Sequence, residues 1–284
     1  MNAPRGNIAL NRNREEPILD AYIINTGELH VDANLLHALS IQATKSNPHP
    51  QIEWRTIPSY AVLLDSPDLG WVLYDTGCAP DAPDTWPEAI QEGCYWTPVE
   101  GATMIEQLAL LGLTPDDISH VILSHFHLDH TGNVNLFAET ADFWVAKDEA
   151  DFAFSKVMQS TDPRTHGAYL KRDVLAPFQR LHFVEEDGEI LPGITAVLLP
   201  GHTPGCMGII FEGAEKTVML TGDALDTRLS YEGAAPGSVW STLDWRRSLE
   251  KVKRLEKAHG VDEIWFGHDM EQFQAFPQIP KKCA

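Results

Sequence analysis

The sequence predicts an α/β protein, and two features of the 284-residue chain indicate this class. Short apolar runs that are typical of buried strands alternate with segments that have helical periodicity. Five of these runs are followed by Asp or His, either directly or after one glycine, at the position where open α/β sheets usually carry their functional side chains. The five runs are Trp71–Tyr74 before Asp75, His120–Ser124 before His125, Ile194–Pro200 before His202, Thr217–Thr221 before Asp223, and Glu263–Phe266 before His268.

The other strands and helices follow from local patterns along the chain. The further strands are expected at Asp20–Ile24, at Leu29–Val31, at Tyr60–Leu64 in a hairpin with Trp71–Tyr74, and at Asp142–Ala146. The helices are expected at Met104–Leu111, Thr114–Asp117, Lys147–Met158, and from Ser241 or Thr242 to His259. Residues 79–98 contain four prolines and are expected to cover the core as a long loop, with pocket lining as the alternative.

We expect one domain over residues 18–284, preceded by a flexible arm over residues 1–17 that Pro17 ends. No linker-like or low-complexity segment interrupts the longer part. Residues 148–182 lie between two groups of candidate ligands and form a candidate cap over the site. His166 and His182 of this segment are expected to be packing or surface residues.

The composition excludes several classes of function. A formal net charge of −20 disfavours nucleic-acid binding, because no basic stripe exists to displace counterions from phosphates. No run approaches the roughly eighteen apolar residues of a membrane span, and the polar N-terminal stretch lacks the apolar core of a secretory signal. The four cysteines form no C-x-x-C pair and are expected to be reduced thiols. We therefore expect a cytoplasmic protein without nucleic-acid or membrane partners.

The stretch from Ser124 to Asn133 contains four potential metal ligands in six residues, which are His125, His127, Asp129 and His130. In an extended chain, side chains two positions apart share a face, so His125 and His127 can bind one ion. The adjacent Asp129 and His130 can face a second position once the chain turns. Nitrogen and carboxylate ligands without thiolates suit Zn²⁺, with Mn²⁺, Fe²⁺ and Co²⁺ as substitutes. One loop can thus serve two metal ions.

The series His125-x-His127-x-Asp129-His130, His202, Asp223 and His268 resembles the ligand series of the metallo-β-lactamase superfamily, over about residues 20–275. Four stretches resemble its N-acyl-homoserine lactonase branch, namely Asn25–Gly27, Tyr74–Gly77, Ser124–His130 and Gly267–Gln272. The resemblance implies an αββα sandwich in which two βα-rich halves face each other across the metals. It also implies a quorum-quenching hydrolase that opens the ring of an acyl-homoserine lactone or of another small lactone.

The same resemblance assigns two Zn²⁺ ions to the seven ligands. It gives His125, His127 and His202 to the first metal, gives Asp129, His130 and His268 to the second, and makes Asp223 the bridge. Two ions ~3.5–4 Å apart can share a water and lower its pKa, so that a bridging hydroxide attacks the ester carbonyl. Asp129 is then the expected general acid for the leaving oxygen.

Asp75 has two alternative roles. It can orient a ligand histidine by accepting a hydrogen bond from the second ring nitrogen, or it can be an ordinary turn residue before Gly77.

Other functions stay open. A glyoxalase II-like thioesterase shares the ligand series, a mononuclear iron dioxygenase shares the fold, and a metal-binding protein without turnover is the non-enzymatic alternative. Only 16 residues follow His268, whereas the thioesterase family has further chain there that helps to bind glutathione, which favours the lactonase. The oligomeric state is open, with a homodimer as one candidate.

One position departs from the lactonase pattern. That branch usually has Tyr three residues after the bridging Asp, where this chain has Asp226. A carboxylate beside two cations is expected to be ionised, so it cannot donate the hydrogen bond that a phenol donates. We therefore predict that Asp226 is a site residue and that the substrate preference differs from that of ordinary acyl-homoserine lactonases. Asp226 can recognise a polar or cationic group on a different cyclic ester or amide, or it can simply cap the following turn. Tyr231 is the nearest alternative hydroxyl, with packing as its simpler role.

Overall fold

The computed structural model describes residues 18–284, so the arm expected at residues 1–17 lies outside the described residues. The strands are β1 (Asp20–Asp32), β2 (Trp54–Ser66), β3 (Gly70–Tyr74), β4 (Cys94–Thr97), β5 (Ile118–Ile122), β6 (Asp142–Ala146), β7 (Leu181–Val184), β8 (Gly188–Leu191), β9 (Ile194–Leu198), β10 (Met207–Glu212), β11 (Thr217–Leu220) and β12 (Glu263–Trp265). The α-helices are α1 (Ala33–Leu36), α2 (Ala82–Thr85), α3 (Glu88–Gln91), α4 (Met104–Leu110), α5 (Leu128–Thr131), α6 (Lys147–Gln159), α7 (Lys171–Leu175), α8 (Arg228–Glu232), α9 (Thr242–His259) and α10 (Met270–Ala275).

The strands form two sheets. The first has seven strands in the order β4-β1-β2-β3-β5-β6-β7, and the second has five in the order β12-β11-β10-β9-β8. In the first sheet, β4, β1, β2 and β3 pair antiparallel, whereas β3, β5, β6 and β7 pair parallel. In the second sheet only β11 and β12 pair parallel. Strands β5, β9, β11 and β12 are each followed directly by a segment that carries predicted ligands.

Successive side chains of a strand point to opposite faces of its sheet, and both faces are apolar here. One face of each sheet packs on the other sheet and the opposite face packs on helices, so the two sheets lie face to face between outer helices. Along β2, Ala61 and Leu63 pack under α4 and α6, while Val62 and Leu64 face the second sheet. On the far side, one apolar stripe of α9 packs on the outer face of the second sheet. This order of helices, sheet, sheet and helix confirms the predicted αββα sandwich.

Most predicted elements agree with the structure, but two differ. The two strands expected at 20–24 and 29–31 are one strand, β1, since a bulge between Asn25 and Glu28 absorbs the irregular stretch. Within it, Gly27 has φ +105°, and a Cβ there would lie 2.3 Å from Trp96 Nε1. Thr114–Asp117 is a 3₁₀ turn at Pro115–Asp117 that Thr114 caps.

Residues 79–98 do more than cover the core. They contain α2, α3 and β4, and β4 extends the first sheet by pairing with β1. The expectation of a plain covering loop was therefore wrong. Among residues 18–284, no helix is both long and apolar enough to cross a membrane.

Candidate metal centre

The predicted ligands come together where the chain leaves β5, β9, β11 and β12. The seven predicted ligands form two groups, and within each group one potential ligand atom per residue lies within 4.8 Å of the others. The three-His cluster consists of His125, His127 and His202, and the acidic cluster consists of Asp129, His130, Asp223 and His268. Every predicted ligand therefore belongs to one of the two clusters, and the division between them is the one the resemblance implied.

Asp223 faces both clusters. Its Oδ1 lies 3.2 Å from His130 Nε2 and 3.2 Å from His268 Nε2, in the acidic cluster. Its Oδ2 lies 3.4 Å from His202 Nε2 and 3.9 Å from His125 Nε2, in the three-His cluster. One carboxylate thus directs one oxygen to each group, which is the geometry that a bridging ligand requires.

Gly222 allows this placement of Asp223. Its φ is +49°, and a Cβ there would lie 2.8 Å from the Ser124 Cβ. Only glycine therefore lets the end of β11 approach the segment that follows β5.

The clusters fit divalent cations because their nitrogens and oxygens lack other partners. Among residues 18–284, the buried atoms without a hydrogen-bond partner include His125 Nε2, His130 Nε2 and Asp223 Oδ1. In the three-His cluster, His127 Nδ1 and His202 Nε2 face each other at 2.9 Å. Two ligand atoms on one tetrahedral Zn²⁺ are separated by about 3.3 Å when each bond is about 2.0 Å long. Converging lone pairs at such distances are stabilised by a cation between them.

Asp75 orients His130 directly and orients His125 through the Ser124 hydroxyl. His130 Nδ1 donates to Asp75 Oδ2 at 2.8 Å, and the Ser124 hydroxyl donates to the same oxygen at 2.7 Å. His125 Nδ1 lies 2.9 Å from Ser124 Oγ and can donate to it, since the hydroxyl proton is already used. In the neutral form of both rings, these bonds place the proton on Nδ1 and leave a lone pair on Nε2. Asp75 itself has φ +58°, a conformation that Asp tolerates better than most residues.

His268 and His127 are oriented by contacts with other parts of the chain. His268 Nδ1 donates to the Pro58 carbonyl at 2.9 Å, so in the neutral ring its Nε2 also faces the acidic cluster with a lone pair. The His127 ring packs edge-on against the Tyr169 ring, with centroids 4.9 Å apart. The orientation of each ring therefore depends on groups outside the clusters.

In the metal-free protein, the histidines of the three-His cluster have lowered pKa values and those of the acidic cluster have raised pKa values. Burial lowers the pKa of His125, His127 and His202, so these rings are neutral and ready to act as ligands. Burial also acts on His268, but the carboxylates of Asp223 and Asp129 outweigh it and raise the pKa of His268 to about 9. The pKa of His130 is raised in the same way. Cation binding at the acidic cluster must therefore displace protons.

Asp226 is buried beside the clusters, and one of its carboxylate oxygens groups with ligand atoms of His202 and Asp223. In the metal-free protein, burial and then the negative charge of Asp223 raise the pKa of Asp226. The ionised state expected for Asp226 refers to the protein with cations bound and stays a prediction. Tyr231 is not a site residue, because its hydroxyl donates to Glu256. His166 is buried with Nε2 at 2.9 Å from the Ser160 carbonyl, and His182 stacks on Trp144, as packing residues do.

An apolar cavity of about 310 Å³ opens onto both clusters. Its apolar wall comes from β1, α1, β2 and the 79–98 segment, and includes Leu29, Val31, Leu35, Leu36, Ile57, Ala89 and Ile90. Ala168, within the 148–182 segment, also reaches it. Sequence reasoning missed this wall because isolated apolar residues look like core. The proline and aromatic content of residues 79–98 was the available signal, and the pocket-lining alternative for that segment is confirmed.

The fold and the site together define the class of αββα proteins that carry His and Asp clusters at one end of two packed sheets. The chain belongs to the metallo-beta-lactamase superfamily, since residues 54–258 match the sequence model of that family.

Named relatives lie in the lactonase branch. The chain is 30% identical over 265 residues to the N-acyl homoserine lactonase AiiB of Agrobacterium fabrum, an alignment that covers 89% of this chain and 94% of the relative. It is 28% identical over 237 residues to an N-acyl homoserine lactonase of Bacillus thuringiensis, covering 79% and 86% of the two chains. The predicted resemblance to this branch is confirmed.

Solved structures agree on the fold. An N-acyl homoserine lactone hydrolase with the product N-hexanoyl-L-homoserine bound at its catalytic metal centre superposes with a TM-score of 0.77 at 24% identity, over 93% of this chain and 98% of that one. The dizinc quorum-quenching lactonase AidC superposes with a TM-score of 0.64 at 18% identity, over 90% of each chain.

Proposed function

We propose that this protein is a dinuclear-metal hydrolase that opens the ring of a small lactone, an N-acyl-homoserine lactone or a related cyclic ester. The observation that carries the proposal is the position of Asp223, which directs one oxygen to each of two His-containing clusters at the end of an apolar cavity. The names of the relatives support the substrate class.

Seven side chains would hold the two cations. His125, His127 and His202 would bind the first, Asp129, His130 and His268 would bind the second, and Asp223 would bind both. Zn²⁺ is the proposed metal because imidazole and carboxylate ligands suit it, with Mn²⁺, Fe²⁺ and Co²⁺ as substitutes. The pair of cations supplies Lewis-acid polarisation of the ester carbonyl and a water of lowered pKa.

The chain's own residues then bind, orient and transfer protons. The apolar wall of the cavity removes an acyl chain from water, while the ester end lies beside the clusters. Asp129 is partly exposed to the cavity, with 16% of its side chain accessible, so it can reach a departing alkoxide as general acid. Asp226 lies on the cavity wall where relatives of this branch usually carry Tyr, and its carboxyl group would select among lactones by their polar atoms.

The setting of the enzyme is part of the proposal. All four cysteines lie within the described residues and are free thiols, which supports a reducing compartment such as the cytoplasm. The formal net charge of −20 supports the absence of a nucleic-acid partner. The homodimer, the single domain over residues 18–284 and the cap role of residues 148–182 stay predictions.

A substrate panel tests the proposal. The purified, metal-loaded protein is assayed against lactones of increasing acyl length, glutathione thioesters and phosphodiesters, with ring opening followed by acid release. We expect lactones to be the best substrates, with kcat/KM rising with acyl length until the cavity is filled. A preference for thioesters would select the glyoxalase II-like alternative. Hydrolysis of none of these substrates by a chain that binds two metals would contradict the enzymatic proposal.

A further inference from the structure

Glu149 is a fully buried carboxylate on the first turn of α6 and belongs to neither ligand cluster. Its Oε1 accepts hydrogen bonds from the Phe126 N–H at 3.0 Å and from the Tyr169 hydroxyl at 3.2 Å. Its Oε2 accepts from the Gly205 N–H at 3.3 Å. Three donors from three separate segments thus meet on one buried side chain.

Each of these donors is linked to the three-His cluster, either by its position in the chain or by a ring contact. Phe126 lies between His125 and His127 in the chain, so its N–H belongs to the backbone that carries both rings. Gly205 ends the turn that begins after β9 and carries His202. Tyr169 packs its ring against that of His127.

The packing around Gly205 shows how closely α6 approaches this turn. A Cβ on Gly205 would lie 2.2 Å from the Glu149 nitrogen and 2.7 Å from its Cβ, so no larger residue fits without moving the helix or the turn. Burying a carboxyl group is costly, and burial raises the pKa of Glu149 although the hydrogen bonds from Phe126, Tyr169 and Gly205 oppose this shift.

We propose that Glu149 is a positioning residue that joins the two loops of the three-His cluster and sets the separation of His127 and His202. The inference rests on the proposed metal centre. The acidic cluster has independent supports in Asp75 and the Pro58 carbonyl. The loss of Glu149 therefore weakens one of the two metal sites and leaves the other.

Glu149→Gln is the sharpest variant because it keeps the shape of the side chain. A carboxamide has one acceptor oxygen, so in either orientation its NH₂ faces a former donor, either Gly205 N–H or the pair from Phe126 and Tyr169. The matched control is Asp148→Asn, which neutralises an exposed carboxylate one position earlier on the same helix. Circular dichroism verifies the fold of each variant before metal is added.

Titration of the metal-free proteins with Co²⁺ measures the two binding steps, and the visible absorption of Co²⁺ reports the coordination geometry. We expect Glu149→Gln to weaken one step by ~10–100-fold and to change the spectrum of that step only. The kcat should fall while KM for the best lactone stays within about two-fold, because the cavity wall is unaltered. Asp148→Asn should match the wild type in every measurement.

Both binding steps and both spectra unchanged in Glu149→Gln would overturn the positioning role. If Glu149→Gln does not fold, Tyr169→Phe removes one donor to the carboxylate and keeps the ring on His127. It should weaken the same step to a smaller extent, and an unchanged titration in that variant overturns the inference. Failure of the wild-type protein to bind two Co²⁺ ions would instead contradict the proposed function itself.

Discussion

Replacing Asp75 by Asn should reverse the tautomer of His130 and weaken metal binding without changing the shape of the site. Asp75 Oδ1 accepts from the Ser124 N–H at 2.7 Å, and Oδ2 accepts from His130 Nδ1 and the Ser124 hydroxyl. If the carboxamide oxygen stays with the Ser124 N–H, its NH₂ faces His130 and must donate. In the neutral ring that binds metal, the proton of His130 then lies on Nε2, which faces Asp223 Oδ1 at 3.2 Å. A protonated Nε2 cannot bind a metal ion.

The Asp75→Asn substitution should change both the metal affinity and the stability of the metal-free protein. Hydrogen-bond partners of ligand histidines typically contribute ~10–100-fold to metal affinity, which corresponds to about 1.4–2.7 kcal/mol. The Ser124 hydroxyl also loses its acceptor in the protein interior, and an unsatisfied buried group costs about 1–3 kcal/mol. Asp75→Asn should therefore weaken Zn²⁺ binding ~10–100-fold and lower the free energy of unfolding of the metal-free protein by about 1–3 kcal/mol.

Competition with a chromophoric chelator measures the Zn²⁺ affinity, and urea unfolding measures the stability of the metal-free protein. Asp116→Asn is the matched control, because Asp116 is exposed in the turn before β5. A folded Asp75→Asn variant with the wild-type Zn²⁺ affinity would refute the tautomer argument.

Three further predictions concern single carboxylates. Asp223→Ala should lose more activity than Asp75→Ala, since Asp223 faces both clusters and Asp75 acts through histidines; equal, mild losses in steady-state kinetics would contradict this. Asp226→Asn should change kcat/KM for the best lactone, and an unchanged value would remove Asp226 from the site. Burial, only partly offset by Arg172, raises the pKa of Asp173 from 3.8 to about 7, so the folded protein retains a proton that the unfolded chain releases. Stability should therefore fall as pH rises from ~4 to ~7, by an amount on the order of 4 kcal/mol, and urea unfolding should show a flatter profile in Asp173→Asn. Parallel pH profiles for that variant and the wild type would mean that Asp173 does not titrate in this range.

The α/β class could be predicted because strand periodicity and ligand spacing agree at the same positions, and the αββα arrangement was implied by the resemblance of the ligand series to the metallo-β-lactamase superfamily. His125 and His127 share a face in extended chain, and each later ligand follows a strand that the structure contains. The single strand β1 could not be predicted, because the bulge at Asn25–Glu28 breaks the alternation that marks a strand.

The parts of the site that escaped prediction are those set by distant contacts. Nothing in the sequence around Glu149 marks it as buried, because an acidic residue on the first turn of a helix is ordinary. Its partners Phe126 and Gly205 are 23 and 56 positions away. The wall residue Ile57 likewise fits a strand core equally well, and only packing turns it towards the cavity. The role of Asp75 stayed open between two alternatives until its distance to His130 was known.

A single titration shows whether lactone opening requires two cations on one chain. Metal-free protein is titrated with Zn²⁺ while the initial rate of lactone hydrolysis is followed, and bound metal per chain is measured at each point. The rate should rise until two Zn²⁺ are bound per chain and then stay constant, because Asp223 faces both clusters and each cluster would contribute a cation to the reaction. Full activity with one bound Zn²⁺ per chain, or no lactone hydrolysis with two, would contradict the two-cation requirement.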